Sequence, residues 1–422
     1  MPATTLDAAN EKSIEFIEKL TVDLISCFDS EKIHMGLDEP FEMGKGKNCK
    51  SDAAKLFVDY VNKLNFICKN HNKKMMIWSD ALHRFNCFNR DLPKDVTYLE
   101  WGYEKEYPFD ERCKKLYDNK LDFYVCPGTS SWMSFTGMTD NMIQNINNAV
   151  QSGIKFGAKG VLLTDWGDCN HMQPLPVSYP GIVFCGALSW NSKIMLNKNN
   201  LAEALNIFIY EDENKIMGNL TLDAGNYYKF EETQLPCRTL AHLFYSEEIK
   251  NRKGYVESLT FISFLIKVLS LPQISSVYLP ALPKTSKKNI SKVLQLTKEL
   301  KEKLKNENMK CKDAEIIKQE FYCAVCTTEL FTKCRESLNN CSSPYKIKDE
   351  AINIAEQYKK IWLARNKQSK LEIALKPFYS FSEKGKSDGN FIYFSRSNHF
   401  NYNCDNPLLY MLTNADCAIV KA

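Results

Sequence analysis

No apolar run in the 422-residue sequence approaches the roughly 18 residues that a membrane-spanning helix requires. Residues 1–10 (MPATTLDAAN) have neither a basic start nor an apolar centre, so no secretory signal is expected there. Neither sign of charge is in excess: 55 Lys and Arg stand against 51 Asp and Glu, a formal net charge of +4. That balance gives no reason to expect nucleic acid or a membrane surface as partner. No glycine-rich phosphate loop occurs, no internal repeat of fixed period is visible, and the six histidines include no pair at metal-ligand spacing. No cofactor or metal is therefore expected.

Cysteine, by contrast, is plentiful. The 16 cysteines are scattered from Cys27 to Cys417 at irregular spacings, several within apolar runs. Such a distribution reads as buried, reduced thiols and a cytoplasmic setting better than as a disulfide framework. Cys323 and Cys326 form a C-x-x-C, but the segment EFYCAVC reads as a buried helix face. The N-x-S/T sequons at Asn219, Asn289 and Asn340 carry little weight in such a setting. With 44% hydrophobic side chains the chain can bury a large core, and its length suits two domains.

From residue 11 to about 190, helical periodicity alternates with short apolar runs, the pattern of β/α units on a parallel sheet. Asn10 is a candidate N-cap for a first helix, Glu11 to Cys27, with an apolar face of Ile14, Phe16, Ile17, Leu20, Leu24 and Ile25. The predicted strands are Lys32–Leu37, Lys74–Trp78, Val96–Trp101, Asp122–Cys126 and Gly160–Thr164, with helices near 51–70, 110–118 and 139–156 and a loop at Phe85–Pro93. The expected fold class is α/β: a partial (β/α)₈ barrel over residues 1–195, an α-helical region over 196–380 and an irregular tail over 381–422. Helices are expected at 201–210, 255–270, 290–307, 312–337 and 347–370, and short strands at Asn390–Phe394 and Cys417–Val420.

In a β/α barrel the chemistry sits beyond the C-terminal ends of the strands. Asp38 and Glu39 follow the first run, Trp78, Ser79 and Asp80 end the second, and Trp101 and Tyr103 the third. Trp132 lies beyond the fourth, and Asp165, Trp166 and Asp168 close the fifth. Two adjacent acids at a strand end point in different directions, and Pro40 blocks a helix from starting at once. On spacing alone the pair also suits a solvated turn. His34, inside the first strand, is expected to be a hydrogen-bonded core residue, while His171 is a candidate for the pocket's rim.

The run KIHMGLDEPFEMGKGK resembles the His-x-Gly-x-Asp-Glu motif of glycoside hydrolase family 20, the retaining β-N-acetylhexosaminidases. The resemblance continues in order through IWSDAL, LEWGY, YVCPGTSSW, LLTDWGD and QPLPVSY, and IWLARN at 361–366 is similar to the C-terminal part of the cytosolic type. It implies hydrolysis of terminal N-acetyl-β-D-hexosaminides with the substrate's own 2-acetamido group as nucleophile. Glu39 would be the acid and base, which requires a raised pKa, and Asp38 would orient the acetamido N–H. Trp78, Trp101, Trp132 and Trp166 would wall the sugar pocket, and Asp168 would bind its outer hydroxyls, standing where many members have Glu. Tyr103, with Tyr124 as the alternative, would hold the acetamido carbonyl. The implied partner is a glycan ending in an N-acetylhexosamine, and a homodimer is compatible.

Barrels of that family begin well before the Asp-Glu strand, whereas about five strands are predicted here. The alternative expectation is accordingly a truncated, catalytically inactive sugar-binding or interaction protein on the same fold. A metal-dependent hydrolase is a weaker third reading, because no histidine pair supports it.

Overall fold

The computed structural model describes residues 5–168, 171–193, 197–231, 235–245, 286–339 and 347–379. The helix expected at 255–270 and the strands expected at Asn390–Phe394 and Cys417–Val420 lie outside the described residues. The chain forms two compact units, both discontinuous in sequence. The first comprises Met1–Gly128, Gln144–Thr164 and Leu188–Ser192; the second comprises Thr129–Ile143, Asp165–Ala187 and Lys193–Ala422.

The first unit is built on five parallel strands in the order β1 (Lys32–His34), β2 (Lys74–Trp78), β3 (Thr97–Trp101), β4 (Phe123–Cys126) and β5 (Gly160–Val161). All neighbours in sequence are neighbours in space, as the β/α alternation predicts; this is half of a barrel. Among the described residues β1 and β5 each pair on one side only, so the sheet has two edges. β1 is shorter than predicted because Gly36 and Leu37 take left-handed φ values of 75° and 72°, which no strand accommodates. β5 is also shorter, with Thr164 bridging separately to Gly128.

The helices α1 (Glu11–Ile25), α2 (Ala53–Asn70) and α4 (Phe109–Asp118) cover one face of this sheet, joined by a single turn, α3 (Asp80–Arg84), where a loop was expected nearby. Asn10 and Asp52 cap α1 and α2 by accepting the N–H groups of Lys12 and Lys55. The covered face contributes Ile33, Met75, Ile77, Tyr98, Phe123 and Val125 to the core, packed with Phe57, Val61, Leu64 and Leu116 from the helices. Strand alternation sends Trp78, Leu99 and Cys126 to the opposite face, with Met76, Trp101 and Tyr124 packed against them. The predicted apolar face of α1 divides in two. Ile14, Ile17 and Ile25 pack on the core, while Phe16, Leu20 and Leu24, spaced four residues apart, remain exposed.

The second unit is helical. Lys198–Phe208, Lys287–Leu304, Ala314–Asn339 and Lys348–Arg365 fall close to predicted helices. Met217–Ala224, Leu240–Tyr245 and Leu371–Tyr379 were not expected, nor was α6 (Tyr179–Trp190), whereas α5 (Thr139–Lys155) falls on the helix expected at 139–156. The string YPGIVFCGALSW is apolar nearly all round, so it offers no helical periodicity to read. The unit's core centres on Phe135, Tyr245, Phe331 and Phe378, whose neighbouring ring centroids lie 5.5 to 5.9 Å apart, within the favoured range for aromatic pairs. Cys323 lies on the buried face of Ala314–Asn339, and burial pushes its thiol up to about 12, which makes it inert. Every described cysteine is a free thiol. No described helix is long and apolar enough to cross a membrane.

Candidate active site

The loop after β1 is the most unusual backbone in the first unit. Gly36, Leu37 and Glu39 all have positive φ, at 75°, 72° and 48°, and only the first is a glycine. Left-handed leucine and glutamate each cost about 1 kcal/mol, so surrounding contacts must hold them. Three do so here. The N–H of Trp78 donates to the carbonyl of Gly36 at 3.0 Å, and the N–H of Phe41 donates to that of Glu39 at 2.7 Å. The N–H of Glu39 donates to Oδ2 of Asp80 at 2.9 Å. Asp38 and Glu39 are thereby presented at the surface, directly beyond the C-terminal end of β1.

Asp80 is the hub of this arrangement, a role that its position at the end of β2 does not by itself announce in the sequence. Its second oxygen, Oδ1, accepts the indole N–H of Trp101 at 3.2 Å, so one carboxylate ties the catalytic-loop candidate to the tryptophan ending β3. Burial pushes the Asp80 carboxyl above its ordinary range; the Glu39 N–H and the Trp101 indole pull it back, and the nearby charges of Asp38 and Glu100 add to the upward shift. Trp101 in turn stacks on Tyr103 at 5.1 Å between centroids and 26° between planes. Trp78 is buried on the same face of the sheet and meets the edge of His34 at 4.7 Å.

His34 is hydrogen-bonded as expected, its Nδ1 accepting the N–H of Gly36 at 3.0 Å, but it is exposed and not in the core. The reason is strand parity: Ile33 turns to the helices, so His34 must turn to the open face. Desolvation lowers its pKa against the opposing pull of Asp38. Tyr124 lies on that face too, and its hydroxyl accepts from Nζ of Lys32 at 2.8 Å, tying it to the start of β1 and away from the strand ends. That placement favours Tyr103 over Tyr124 at the site.

Glu100 points the other way, into the helix-covered core, and is completely buried. A lone acid within the run VTYLEW is the signal of such a group, because a buried carboxylate requires partners. It accepts from Ser79 Oγ at 2.5 Å and Tyr107 Oη at 2.7 Å, and meets His83 Nε2 at 2.9 Å. Burial pushes its carboxyl up, but His83, Ser79 and Tyr107 outweigh burial and hold it below its ordinary value. The ring of Tyr107 lies so close over Gly102 that a Cβ there would come within 2.2 Å of it, which accounts for the glycine in LEWGY. This cluster braces the Trp78-Ser79-Asp80 and Trp101-Gly102-Tyr103 strand ends from behind.

The remaining predicted residues belong to the second unit. Oδ1 of Asp165 accepts from Thr129 Oγ1 at 2.5 Å, Ser131 Oγ at 2.6 Å and Ser178 Oγ at 3.0 Å, anchoring the loop that follows. Trp166 is 38% exposed, and its carbonyl accepts from Nε2 of Gln173 at 2.7 Å. Asp168 is raised above its ordinary pKa by desolvation, with Arg238 and His171 opposing. Trp132 is only 2% exposed. His171, with φ of 48°, folds back over Gly167.

A parallel β/α half-barrel with paired acids just past a strand's C-terminal end defines a barrel-type protein whose functional face is the one where the strand ends meet. Residues 1–174 match the family model described as "Glycosyl hydrolase family 20, catalytic domain". No curated protein matches the sequence. Among solved structures, a family GH115 4-O-methyl-α-glucuronidase with specificity for decorated arabinogalactans aligns at a TM-score of 0.57 and 15% identity, over 89% of this chain and 48% of its own. Dispersin B aligns at 0.30 and 18% identity over 44% of this chain and 59% of its own. The chitobiase of Flavobacterium johnsoniae aligns at 0.39 and 14% identity over 88% of this chain and 59% of its own. The chain thus spans about half to three-fifths of the length of these structures, and only the first shares its fold closely enough to compare.

Proposed function

We propose that this chain acts as an exo-β-N-acetylhexosaminidase, releasing terminal N-acetyl-β-D-hexosamine from a glycan or glycoside. The observation that carries the reading is the Asp38–Glu39 pair, exposed just beyond β1 within the segment that matches the family 20 catalytic-domain model. The substrate's 2-acetamido carbonyl oxygen attacks the anomeric carbon, the bond to the leaving oxygen breaks as Glu39 delivers its proton, and an oxazolinium ion forms. Glu39, now a carboxylate, takes a proton from the water that reopens this ring and restores the anomeric configuration. Asp38 stays ionised, orients the acetamido N–H and balances the positive charge that develops beside it.

In this reading Trp78 and Trp101 supply apolar walls, Tyr103 donates its hydroxyl to the acetamido carbonyl, and Asp80 is a positioning residue that holds Glu39 and Trp101. The resemblance also gives Trp132, Trp166 and Asp168, all in the second unit, sugar-binding roles. The free thiols are consistent with a cytoplasmic setting. An aryl N-acetyl-β-glucosaminide tests the proposal. Turnover by the wild-type chain should fall at least about 100-fold in Glu39→Gln, the usual contribution of a general acid. Wild-type turnover in that variant, or none in the parent, would sink it.

One observation favours a second reading, in which the chain binds sugar without hydrolysis. The described sheet has two unpaired edges and an uncovered apolar stripe on α1, features that soluble barrels close off. N-acetylglucosamine binding unaffected by Glu39→Gln, with no product at any pH, is the outcome that reading requires.

A further inference from the structure

The second unit contains a cavity of about 390 Å³ that the proposed catalysis does not use. It lies between residues 171–175, which follow Trp166 and Asp168 in the chain, and the helix Lys348–Arg365. Its chemistry is specific enough to name a class of ligand. Arg365 lines it, but its guanidinium is held by two carboxylates: Nε and Nη2 donate to both oxygens of buried Glu320 at 2.7 and 3.0 Å, and Nη1 donates to Asp313 at 2.7 Å. Two carboxylates against one guanidinium leave no positive charge for an anion, so phosphate, carboxylate or an acidic peptide finds no partner.

What remains is an aromatic wall with neutral polar groups. The indole of Trp362 is fixed by its N–H donating to the carbonyl of Lys367 at 2.7 Å, which leaves the ring face as its contact surface. Asn366 and His171 supply exposed amide and imidazole groups at the same cavity. Gln173 is 3% exposed, and its Oε1 has no hydrogen-bond partner among the described residues, while its Nε2 is committed to Trp166. That oxygen is closed off from solvent, so the groups that meet a ligand in the cavity are Trp362, Asn366 and His171. An apolar ring face beside amide and imidazole groups, with no net positive charge, fits a ring that carries many hydroxyls and no charge. The volume lies in the usual range of small-molecule sites.

We propose that this cavity is a second saccharide site, taking a neutral mono- or disaccharide against Trp362. Gln173 connects it to the loop of Trp166 and Asp168, so an occupied site steadies that loop through the Trp166 carbonyl. The proposal needs no catalysis at Glu39; only the choice of an amino sugar as first probe rests on the proposed function.

The test is isothermal titration of the full chain carrying Glu39→Gln, with N,N′-diacetylchitobiose and cellobiose as probes. Binding that persists in Trp78→Ala but weakens at least tenfold in Trp362→Ala is expected, with Trp362→Phe within about threefold of the parent. Because Trp362→Ala touches the core, the exposed Asn366→Ala serves as a second variant and should weaken the same event with no change in melting temperature. Loss of all saccharide binding in Trp78→Ala overturns the second site while leaving the catalytic proposal standing. Binding abolished by neither Trp362 nor Asn366 variants, or no binding of either saccharide, also overturns it. Retained binding at Trp362 with no turnover by the parent chain would instead overturn the catalytic proposal alone.

Discussion

Replacing Asp80 by Asn separates what this carboxylate does for stability from what it does for the site. Each of its oxygens accepts one N–H, from Glu39 at 2.9 Å and Trp101 at 3.2 Å. Hydrogen bonds to a charged acceptor contribute about 1.5–3 kcal/mol each. Asn offers a single carbonyl oxygen, so one bond survives as a neutral one and the other donor faces an NH₂. The loss is about 2–4 kcal/mol of local interaction on that basis. Against it stands the removal of a carboxylate that burial disfavours, as its raised pKa records. The two effects largely offset in global stability, so urea unfolding at neutral pH should shift by no more than about 1–2 kcal/mol. They do not offset in geometry: Glu39, at φ of 48°, loses the bond that holds its peptide.

The expected result is a near-normal unfolding midpoint with hydrolysis of the aryl glycoside reduced about 10- to 100-fold, each tenfold corresponding to about 1.4 kcal/mol. A pH series adds a sign. Because the folded pKa of Asp80 is raised, the wild-type chain holds that proton more tightly when folded. Its contribution is therefore greatest below the ordinary carboxylate value and is lost as pH rises through the folded pKa. The Asn variant lacks that slope. Activity within twofold of wild type, with stability unchanged, would refute the positioning role.

Glu100→Gln should destabilise the first unit by about 2–4 kcal/mol in urea unfolding, since a buried acceptor of three hydrogen bonds loses its charge. Its lowered folded pKa means that the wild-type advantage is present above the ordinary Glu value and disappears as pH falls through the folded pKa. Gly218→Ala should cost at least about 2 kcal/mol in thermal melts, because the added Cβ would lie 2.0 Å from the carbonyl oxygen of Ala202, and backbone cannot step aside as a side chain does. Arg365→Leu leaves Glu320, only 3% exposed, without its bidentate partner; a loss of about 3–5 kcal/mol is expected, and Arg365→Lys should recover only part of it.

The sequence by itself determined the strand order and most of the helices, because both rest on local alternation of apolar and polar residues. Each run in KMMIW, TYLEW and FYVC became a strand of one parallel sheet, in chain order. Position relative to strand ends was equally legible: Asp38, Glu39, Trp78, Trp101 and Tyr103 all stand where a barrel gathers its chemistry. Local pattern failed where burial is uniform, as in α6, whose apolar string has no polar face to mark a period. It also failed where backbone conformation decides, since nothing in MGLDEP announces three positive φ angles.

Tertiary structure alone decided which strand-end acids do different work. Asp80 and Glu100 look alike in sequence, each an acid within two residues of a tryptophan, yet one turns towards Glu39 and Trp101 and the other into a closed cage of Ser79, His83 and Tyr107. The two faces of a strand differ by one residue of register, and only packing of the sheet assigns each face its neighbours. The same holds for His34, turned out by the burial of Ile33, and for the pairing of Arg365 with Glu320, 45 residues apart in the chain. Hydrogen-bond partners so distant in sequence leave no local periodicity, so their chemistry appears only once the chain has folded.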